Sequence, residues 1–538
     1  MKMHFRYTQY LFALALVFLS AGRAMANEPA ARVPKERAAG AAKKPAAPAN
    51  DFSVKAFHLD LRIQVMTMPA LKALAQRLHG GGINTLIVEY EASYPFDQHP
   101  LIPNRYAYTR AEIISFVAFC NQLGVDVIPL QQSFGHVEYI LRNERYSQLR
   151  EDQKDLSQVC PVEAYRDSML FTDLYRDLAS THTSRYIHIG CDETHLLGHC
   201  PKCRQLADKE GLSNLYIDYV RMLCNIVIRM GKRPILWADI ALKYPEAIRT
   251  LPKETIFVDW NYGWDLNRFG DHQKLLESGF EIWGAPAMRS SPDNYYLTQW
   301  EKHFNNIRDF VPMARQMGYK GIVLTSWSTS GVYSYVYESE NNLTGLYAIR
   351  RVYPITGFNI LLAAYLESLH SAEPLNIDRF IVGYCSDEYG FTPSQAMAFW
   401  QALKAAPYEV TSGIVQSSTP ISLQALADSS IETSRVLRLL EPLKNKQEFE
   451  HYRLMADIRV QYLQFRGIEQ EANSPSFTPM EIPSLLKRLS ALMATDRWLS
   501  QRFIDLNKED FYLPELKQEN HLRYSQIQDF YDRLNKSR

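Results

Sequence analysis

The 538-residue chain has no surplus of charge of either sign, since 59 lysines and arginines stand against 59 aspartates and glutamates. Proteins that hold nucleic acid or anionic lipid through their overall field carry a basic surplus. This balance excludes such a footprint and fits a neutral substrate better. Beyond Leu19 the chain also lacks an unbroken apolar run of the ~20 residues needed to span a bilayer, which predicts no membrane span in the mature protein. The C-terminal part contains no internal repeat that would make it a solenoid. Paired cysteines are not complete either: Cys120, Cys160, Cys191, Cys200, Cys203, Cys224 and Cys385 make an odd set. In an exported protein at least one of them must stay unpaired or pair between chains.

What is present begins with a targeting pattern. Lys2, His4 and Arg6 precede an apolar run from Leu11 to Leu19, followed by the small-residue sequence Ala24-Met25-Ala26. That order reads as a secretory signal peptide over residues 1–26, cleaved after Ala26, with the periplasm as the expected destination. Residues 27–50, rich in Ala, Pro and Lys and without apolar periodicity, read as a flexible tether.

From Val54 to about Ser328, short apolar, β-branched runs alternate with segments of helical period, the mark of parallel strands joined by crossover helices. Eight strands are expected: Val54 to Leu61, Thr85 to Tyr90, Asp126 to Leu130, Arg185 to Gly190, Pro234 to Ala238, Ile256 to Trp260, Glu281 to Ala285 and Gly321 to Trp327. Gly124, Gly231, Gly279 and Gly318 stand shortly before strands, where helices end in a left-handed turn. The predicted fold class is therefore α/β, a (β/α)8 barrel over residues 51–354 followed by a mostly α-helical region over 355–538. The helical region shows stripes such as Met455, Ile458, Tyr462 and Phe465.

Barrels of this kind carry their chemistry at the carboxyl ends of the strands. Those ends are unusually polar and aromatic here: Glu89-Tyr90-Glu91, Gln131 to His136, His188 to Glu193, Trp237-Ala238-Asp239, Asp259 to Tyr262 and Ser326-Trp327-Ser328. Aromatic rings stack on the C–H faces of a sugar while carboxylates and amides hold its hydroxyls, so a carbohydrate suits such a mouth. Each residue also has a blander use. Asp192 and Glu193 fit a helix start, Trp260, Tyr262 and Trp327 fit a plug for the barrel top, His136 fits a buried structural histidine, and Asp239, Glu89 and Glu91 fit salt bridges.

At the fourth strand, Tyr186-Ile187-His188-Ile189-Gly190-Cys191-Asp192-Glu193 closely resembles the His-Ile-Gly-x-Asp-Glu signature of family 20 glycoside hydrolases, the β-N-acetylhexosaminidases. Leu86 to Glu91, Ile128 to Glu138 and Leu196-Leu197-Gly198 look like the matching stretches of the hexosaminidase D-like branch, in the same order. The resemblance implies an exo-acting enzyme that removes terminal N-acetylhexosamines from glycans without a cofactor. In that scheme the 2-acetamido oxygen of the substrate is the nucleophile, an exception to the two-carboxylate arrangement. Glu193 is then the general acid and base, and Asp192 orients the acetamido N–H. The neighbouring charge of Asp192 is expected to raise the proton affinity of Glu193. By the same resemblance Tyr262 donates to the acetamido oxygen, Trp260 and Trp327 wall the sugar, and His136, Asp239, Glu91 and Glu89 contact hydroxyls or steady the loop. Many family members carry a sugar-gripping arginine just after the first strand. Leu59-Asp60-Leu61-Arg62 offsets it, which sets Arg62 outside the expected ligands.

His195, His199, Cys200 and Cys203 have zinc-like spacing, but only half of a four-ligand site is visible and no second pair follows. The plainer expectation is a disulfide, either Cys200 to Cys203 or from one of them to Cys160, with no metal in the site. Rival functions are a retaining exo-glycosidase with separated carboxylates, for which Glu89 or Glu91 would serve, a glycan-binding barrel without turnover, and a zinc hydrolase around Cys200 and His195.

Overall fold

The computed structural model of the chain describes residues 51–62, 64–264, 268, 270, 272–290, 293–328, 354–405, 410–411, 414–415 and 421–537. The expected signal peptide and tether lie outside the described residues, as do residues 329–353 of the expected barrel.

Nine strands form one sheet: β1 (Val54–Asp60), β2 (Thr85–Glu89), β3 (Asp126–Leu130), β4 (Tyr186–His188), β5 (Arg233–Trp237), β6 (Ile256–Trp260), β7 (Glu281–Ala285), β8 (Ala287–Arg289) and β9 (Gly321–Ser326). β1 to β7 run in order and in parallel, β9 follows β7, and β9 pairs back onto β1 through Val54 opposite Gly321 and Phe57 opposite Leu324, so the barrel closes on eight strands. β8 is an extra strip on β9. Pro286 separates it from β7: proline has no N–H for the ladder, and its carbonyl takes a bond from Thr325 instead.

The helices seat themselves by their apolar faces. In Leu212–Arg229 the residues Leu215, Tyr219, Leu223 and Ile226 are buried, spaced three or four apart. The four glycines ahead of strands, Gly124, Gly231, Gly279 and Gly318, all have positive φ between 73° and 78°, as the left-handed helix ends require. The interior of the barrel is filled, not hollow: Ala56, Ile87, Ile128, Ile235, Ile256, Val258, Trp283 and Val323 form one cluster inside the strands.

After β9 the chain is mostly helical, in agreement with the fading strand pattern: Asn359–Leu369, Ile377–Tyr389, Pro393–Lys404, Leu423–Leu439, Lys446–Ala472, Ile482–Asn507 and Leu513–Lys536, with one short antiparallel pair of strands, Val410–Thr411 and Ile414–Val415. Asn359–Leu369 lies across the seam where the barrel closes, and Tyr365 OH reaches the carbonyls of Ala56 on β1 (3.2 Å) and Ile322 on β9 (3.1 Å). The long helix Lys446–Ala472 docks on the loop before the helix Trp300–Gln316, with Arg459 Nε donating to Tyr296 O at 2.9 Å and Tyr295 OH 2.9 Å from His451 Nδ1. None of the described helices is long and apolar enough to cross a membrane.

Candidate active site

Side chains alternate in and out along a strand, so one parity of each strand lines the barrel. Moving along the inward positions toward the carboxyl ends, aliphatic Ala56, Ile87 and Ile235 give way to His58 and Asp60, Glu89, and Trp237, while β4 contributes His188. His58, Asp60, Glu89 and His188 are all fully buried. Buried charge survives only with partners, and Glu89 has them. Arg62 NH2 (3.4 Å) and Gln132 Nε2 (3.1 Å) reach its Oε1, and His58 Nε2 lies 3.0 Å from its Oε2. Burial opposes ionisation of Glu89, but Arg62, His58 and Gln132 outweigh it and bring the carboxyl down to about 2. His188 is the converse: buried with no such partner, its ring is pushed down to about 3 and is neutral.

Above this layer the fourth strand ends in a turn wound the wrong way for ordinary residues. Gly190, Cys191 and Glu193 have φ of 70°, 73° and 46°, and the neighbouring strand ends add Glu91 at 46° and His136 at 55°. Non-glycine residues held there cost about 1–3 kcal/mol each, so the surroundings must enforce the shape. They do so through backbone bonds from Ile189 N to Ile235 O (2.7 Å) and Trp237 N to Gly190 O (3.1 Å), and through Tyr216 OH donating to Cys191 O (2.9 Å). The third-strand loop closes on the turn from the side. A Cβ on Gly135 would stand 2.3 Å from the carbonyl oxygen of Asp192, so only glycine lets the two backbones approach this closely.

The turn sends adjacent carboxylates in different directions. The Asp192 side chain is 7% exposed and that of Glu193 is 41% exposed. His136 Nε2 sits between them, 3.4 Å from Asp192 Oδ2 and 3.3 Å from Glu193 Oε2. Asp192 Oδ1 is buried and has no hydrogen-bond partner among the described residues. Asp239, at the end of β5, accepts the backbone N–H of Glu193 through Oδ2 at 3.1 Å.

This geometry corrects the expectation for Glu193. Its carboxyl lies below the usual range, because hydrogen bonding from His136 outweighs the opposing effect of burial. Burial also works against charge on His136, yet the carboxylates of Asp192 and Glu193 hold its proton well above the usual histidine range. The raised carboxyl belongs to Asp239 instead. Burial first, then the charge of Asp192, push it up to about 7 against the effect of the Glu193 N–H. An adjacent carboxylate raises its neighbour's proton affinity, but a cation held between the two outweighs that effect, and the sequence did not show that His136 stands there.

Of the other expected residues, Trp260, Tyr262 and Trp327 meet in one aromatic wall. The Trp260 and Tyr262 rings lie 5.0 Å apart, and Trp327 Nε1 donates to Tyr262 OH at 2.7 Å, which leaves the phenol's own proton for another acceptor. Burial holds that proton on Tyr262 well above the ordinary range. The wall includes two residues to which the sequence reading gave no role: Trp264, which it passed over, and Trp237, which it noted only as part of an aromatic strand end. Trp264 lies 5.3 Å from Tyr262, and its spacing in Trp260-x-Tyr262-x-Trp264 was the available signal. Trp237 packs 5.5 Å from Trp327 and 4.5 Å from His188. Glu91 is buried, and burial above all holds its carboxyl well above the usual range despite Arg62. Arg62 does stand at the mouth: Nε is 2.8 Å from Asp60 Oδ2 and 4.0 Å from Glu91 Oε1, and its guanidinium lies 5.5 Å from the centre of the Trp327 ring. A cleft of about 490 Å³ lies against Trp264, lined also by Thr298, Lys302 and Asn306 among others; its lining includes neither Asp192 nor Glu193.

The histidines of the zinc-like cluster separate from its cysteines. His195 is exposed, and His199 Nε2 pairs with Asp152 Oδ2 at 2.7 Å on the surface. All seven cysteines are free thiols, so the expected disulfide is not formed.

A closed parallel barrel with paired acidic and aromatic groups at the carboxyl ends of its strands has the layout of an enzyme acting on sugars. The family model described as "Glycosyl hydrolase family 20, catalytic domain" matches residues 61–342, so the chain belongs to that family and is a glycoside hydrolase. Among known relatives, Hexosaminidase D of Bos taurus is 28% identical over 299 residues, 52% of this chain and 86% of the bovine protein. Hexosaminidase D of Homo sapiens is 27% identical over 303 residues, covering 53% of this chain but only 62% of the human protein. Among solved structures, a β-N-acetylhexosaminidase from Bacteroides fragilis NCTC 9343 aligns with a TM-score of 0.47 at 16% identity, over 62% of this chain and 70% of that one.

Proposed function

We propose that the protein is an exo-acting β-N-acetylhexosaminidase that works by substrate-assisted, retaining hydrolysis. One observation carries the proposal: successive residues at a barrel mouth present a buried carboxylate with an oxygen unpartnered among the described residues, Asp192, and a more exposed carboxyl, Glu193. A buried carboxylate oxygen is costly to leave without a donor, and a substrate amide N–H supplies one. With that N–H on Asp192, the acetamido oxygen attacks the anomeric carbon. The glycosidic bond breaks, its electron pair leaves with the aglycone oxygen, and Glu193 supplies that oxygen's proton. Water then opens the oxazolinium ring at the same carbon while Glu193 takes its proton back, so configuration is retained. Tyr262 donates to the acetamido oxygen, Trp260 and Trp327 flank the ring, and Asp239 positions Glu193 through its backbone. Family membership and the similarity to Hexosaminidase D support the substrate class. Glu89, which a two-carboxylate scheme would recruit, is buried with both oxygens occupied.

Aryl β-N-acetylglucosaminides and β-N-acetylgalactosaminides provide the test. The enzyme should release the aryl group from at least one, and a thiazoline shaped like the oxazolinium should inhibit it competitively. Failure to turn over either glycoside would overturn the proposal.

His136 enters through the proton balance. A glutamic acid held below its usual range is scarcely protonated near neutrality, whereas a histidine held above its range carries the proton at 3.3 Å. The two titrate as one unit, and the form with a single shared proton is the active one. Losing that proton sets the basic limb of kcat/KM. In His136→Asn the limb then reports Glu193 alone and should fall toward the carboxylate range, by at least about one pH unit. An upward shift would mean that Glu193 is protonated without help from His136.

A further inference from the structure

Away from the sugar site, three sulfurs and a carboxylate converge. Cys160 Sγ lies 3.5 Å from Cys203 Sγ and 3.7 Å from Cys200 Sγ, and Cys203 Sγ lies 3.1 Å from Glu151 Oε2. These four donor atoms all lie within 4.8 Å of one another. A zinc ion bound tetrahedrally at ~2.3 Å to sulfur and ~2.0 Å to oxygen would hold such donors about 3.5–3.8 Å apart, close to what is seen. We propose that Glu151, Cys160, Cys200 and Cys203 form a structural zinc site.

The surroundings suit a cation bound by thiolates. Glu151, Cys160 and Cys203 are buried, and no arginine or lysine pairs with Glu151 among the described residues. Glu151 Oε1 is occupied by the Cys200 N–H at 2.7 Å, which leaves Oε2 facing the sulfurs. Cys200 caps the helix Pro201–Glu210 and accepts the Cys203 N–H through sulfur at 3.3 Å, which fixes its sulfur at the start of that helix, 3.7 Å from Cys160 Sγ. The antiparallel bridge between Arg150 and Val159, with Glu151 N donating to Gln158 O (3.1 Å) and Cys160 N donating to Leu149 O (2.7 Å), makes Glu151 and Cys160 diagonal neighbours across the two segments. Soft sulfur donors with one carboxylate select zinc over magnesium or calcium, and four protein ligands leave no open position for catalysis.

The site's place in the fold defines its task. Glu151 and Cys160 belong to the long connection after β3, the connection that carries His136. Cys200 and Cys203 follow the turn that carries Asp192 and Glu193. A zinc ion there would join these two connections beside the bond from Leu196 N to Gln158 Oε1 (2.9 Å). The inference stands apart from the hydrolytic chemistry and does not depend on it.

The test is metal analysis of the whole protein, made without a metal-binding tag and purified under reductant with zinc in the medium. About one zinc per chain is expected, with X-ray absorption showing three sulfur neighbours at ~2.3 Å and a shorter oxygen. Cys200→Ser keeps a helix-capping side chain and should cut bound zinc at least about tenfold. Less than about a tenth of a zinc per chain in wild type would overturn the proposal. So would a zinc shell without sulfur, or an intact mass showing a disulfide among these cysteines under non-reducing conditions. The wild-type measurements decide even where the variant fails to fold.

Discussion

Glu193→Gln is expected to lower kcat on an aryl β-N-acetylhexosaminide by about 10²–10⁴, the usual contribution of a positioned general acid. The amide matches the carboxyl in size and cannot deliver a proton to the departing oxygen. The Glu193 backbone, held by Asp239 at 3.1 Å, is untouched, so the fold and the φ of 46° should persist. Asp192→Asn should cost about 10²–10³, because the new amide still fills the buried place but no longer offsets positive charge as the oxazolinium ring closes. The two variants differ in their dependence on the leaving group. Glu193→Ala should keep part of its rate when the aglycone leaves readily, and added azide should speed it by replacing the water that then lacks a base. Asp192→Asn should show neither effect, since the step it impairs is ring closure. Near-wild-type kcat in both variants, measured with protein of unchanged melting temperature, would rule out the proposed roles.

The second large effect lies on the substrate. Aryl β-glucosides and β-glucosaminides, which carry a hydroxyl or a free amine in place of the acetamido group, should react at least about 10³-fold more slowly than the N-acetylated compound. A nucleophile held within the substrate has an effective concentration of ~10⁵–10⁸ M, equivalent to roughly 7–11 kcal/mol of barrier. Neither Glu89 nor Glu91 is suited to replace it, since Glu89 is locked by Arg62, His58 and Gln132, and burial holds the Glu91 carboxyl well above the usual range. The free amine adds a second handicap by placing a cation where the positively charged ring must form. Comparable kcat/KM for acylated and unacylated substrates would exclude acetamido participation.

The barrel was legible because its strands are short, β-branched and repeated at even intervals, and each expected strand falls within two residues of an observed one. The fourth was expected to extend to Gly190 but ends at His188, since Gly190 turns at φ 70°. β8 was not anticipated because Pro286 breaks the run in which it lies. The Asp192-Glu193 pair and the aromatic wall were legible as local spacing. The position of His136 between the two carboxylates was not, because it depends on Gly135 lying against a carbonyl more than fifty residues later in the chain. The same limit hid the cysteine cluster. Cys200 and Cys203 showed half of a ligand set, while Glu151 and Cys160 are brought to it only by the closure of the loops around the barrel mouth.

The backward-wound turn has a consequence for how the protein fails. Its shape is not preferred by Cys191 or Glu193 themselves; it is imposed by Tyr216, Asp239 and the ends of β4 and β5. A framework that slackens, through mild denaturant or a remote cavity, would let this turn relax toward the common backbone basin while the strands beneath stay paired. Turnover would then disappear in a protein whose circular dichroism still reports an intact barrel.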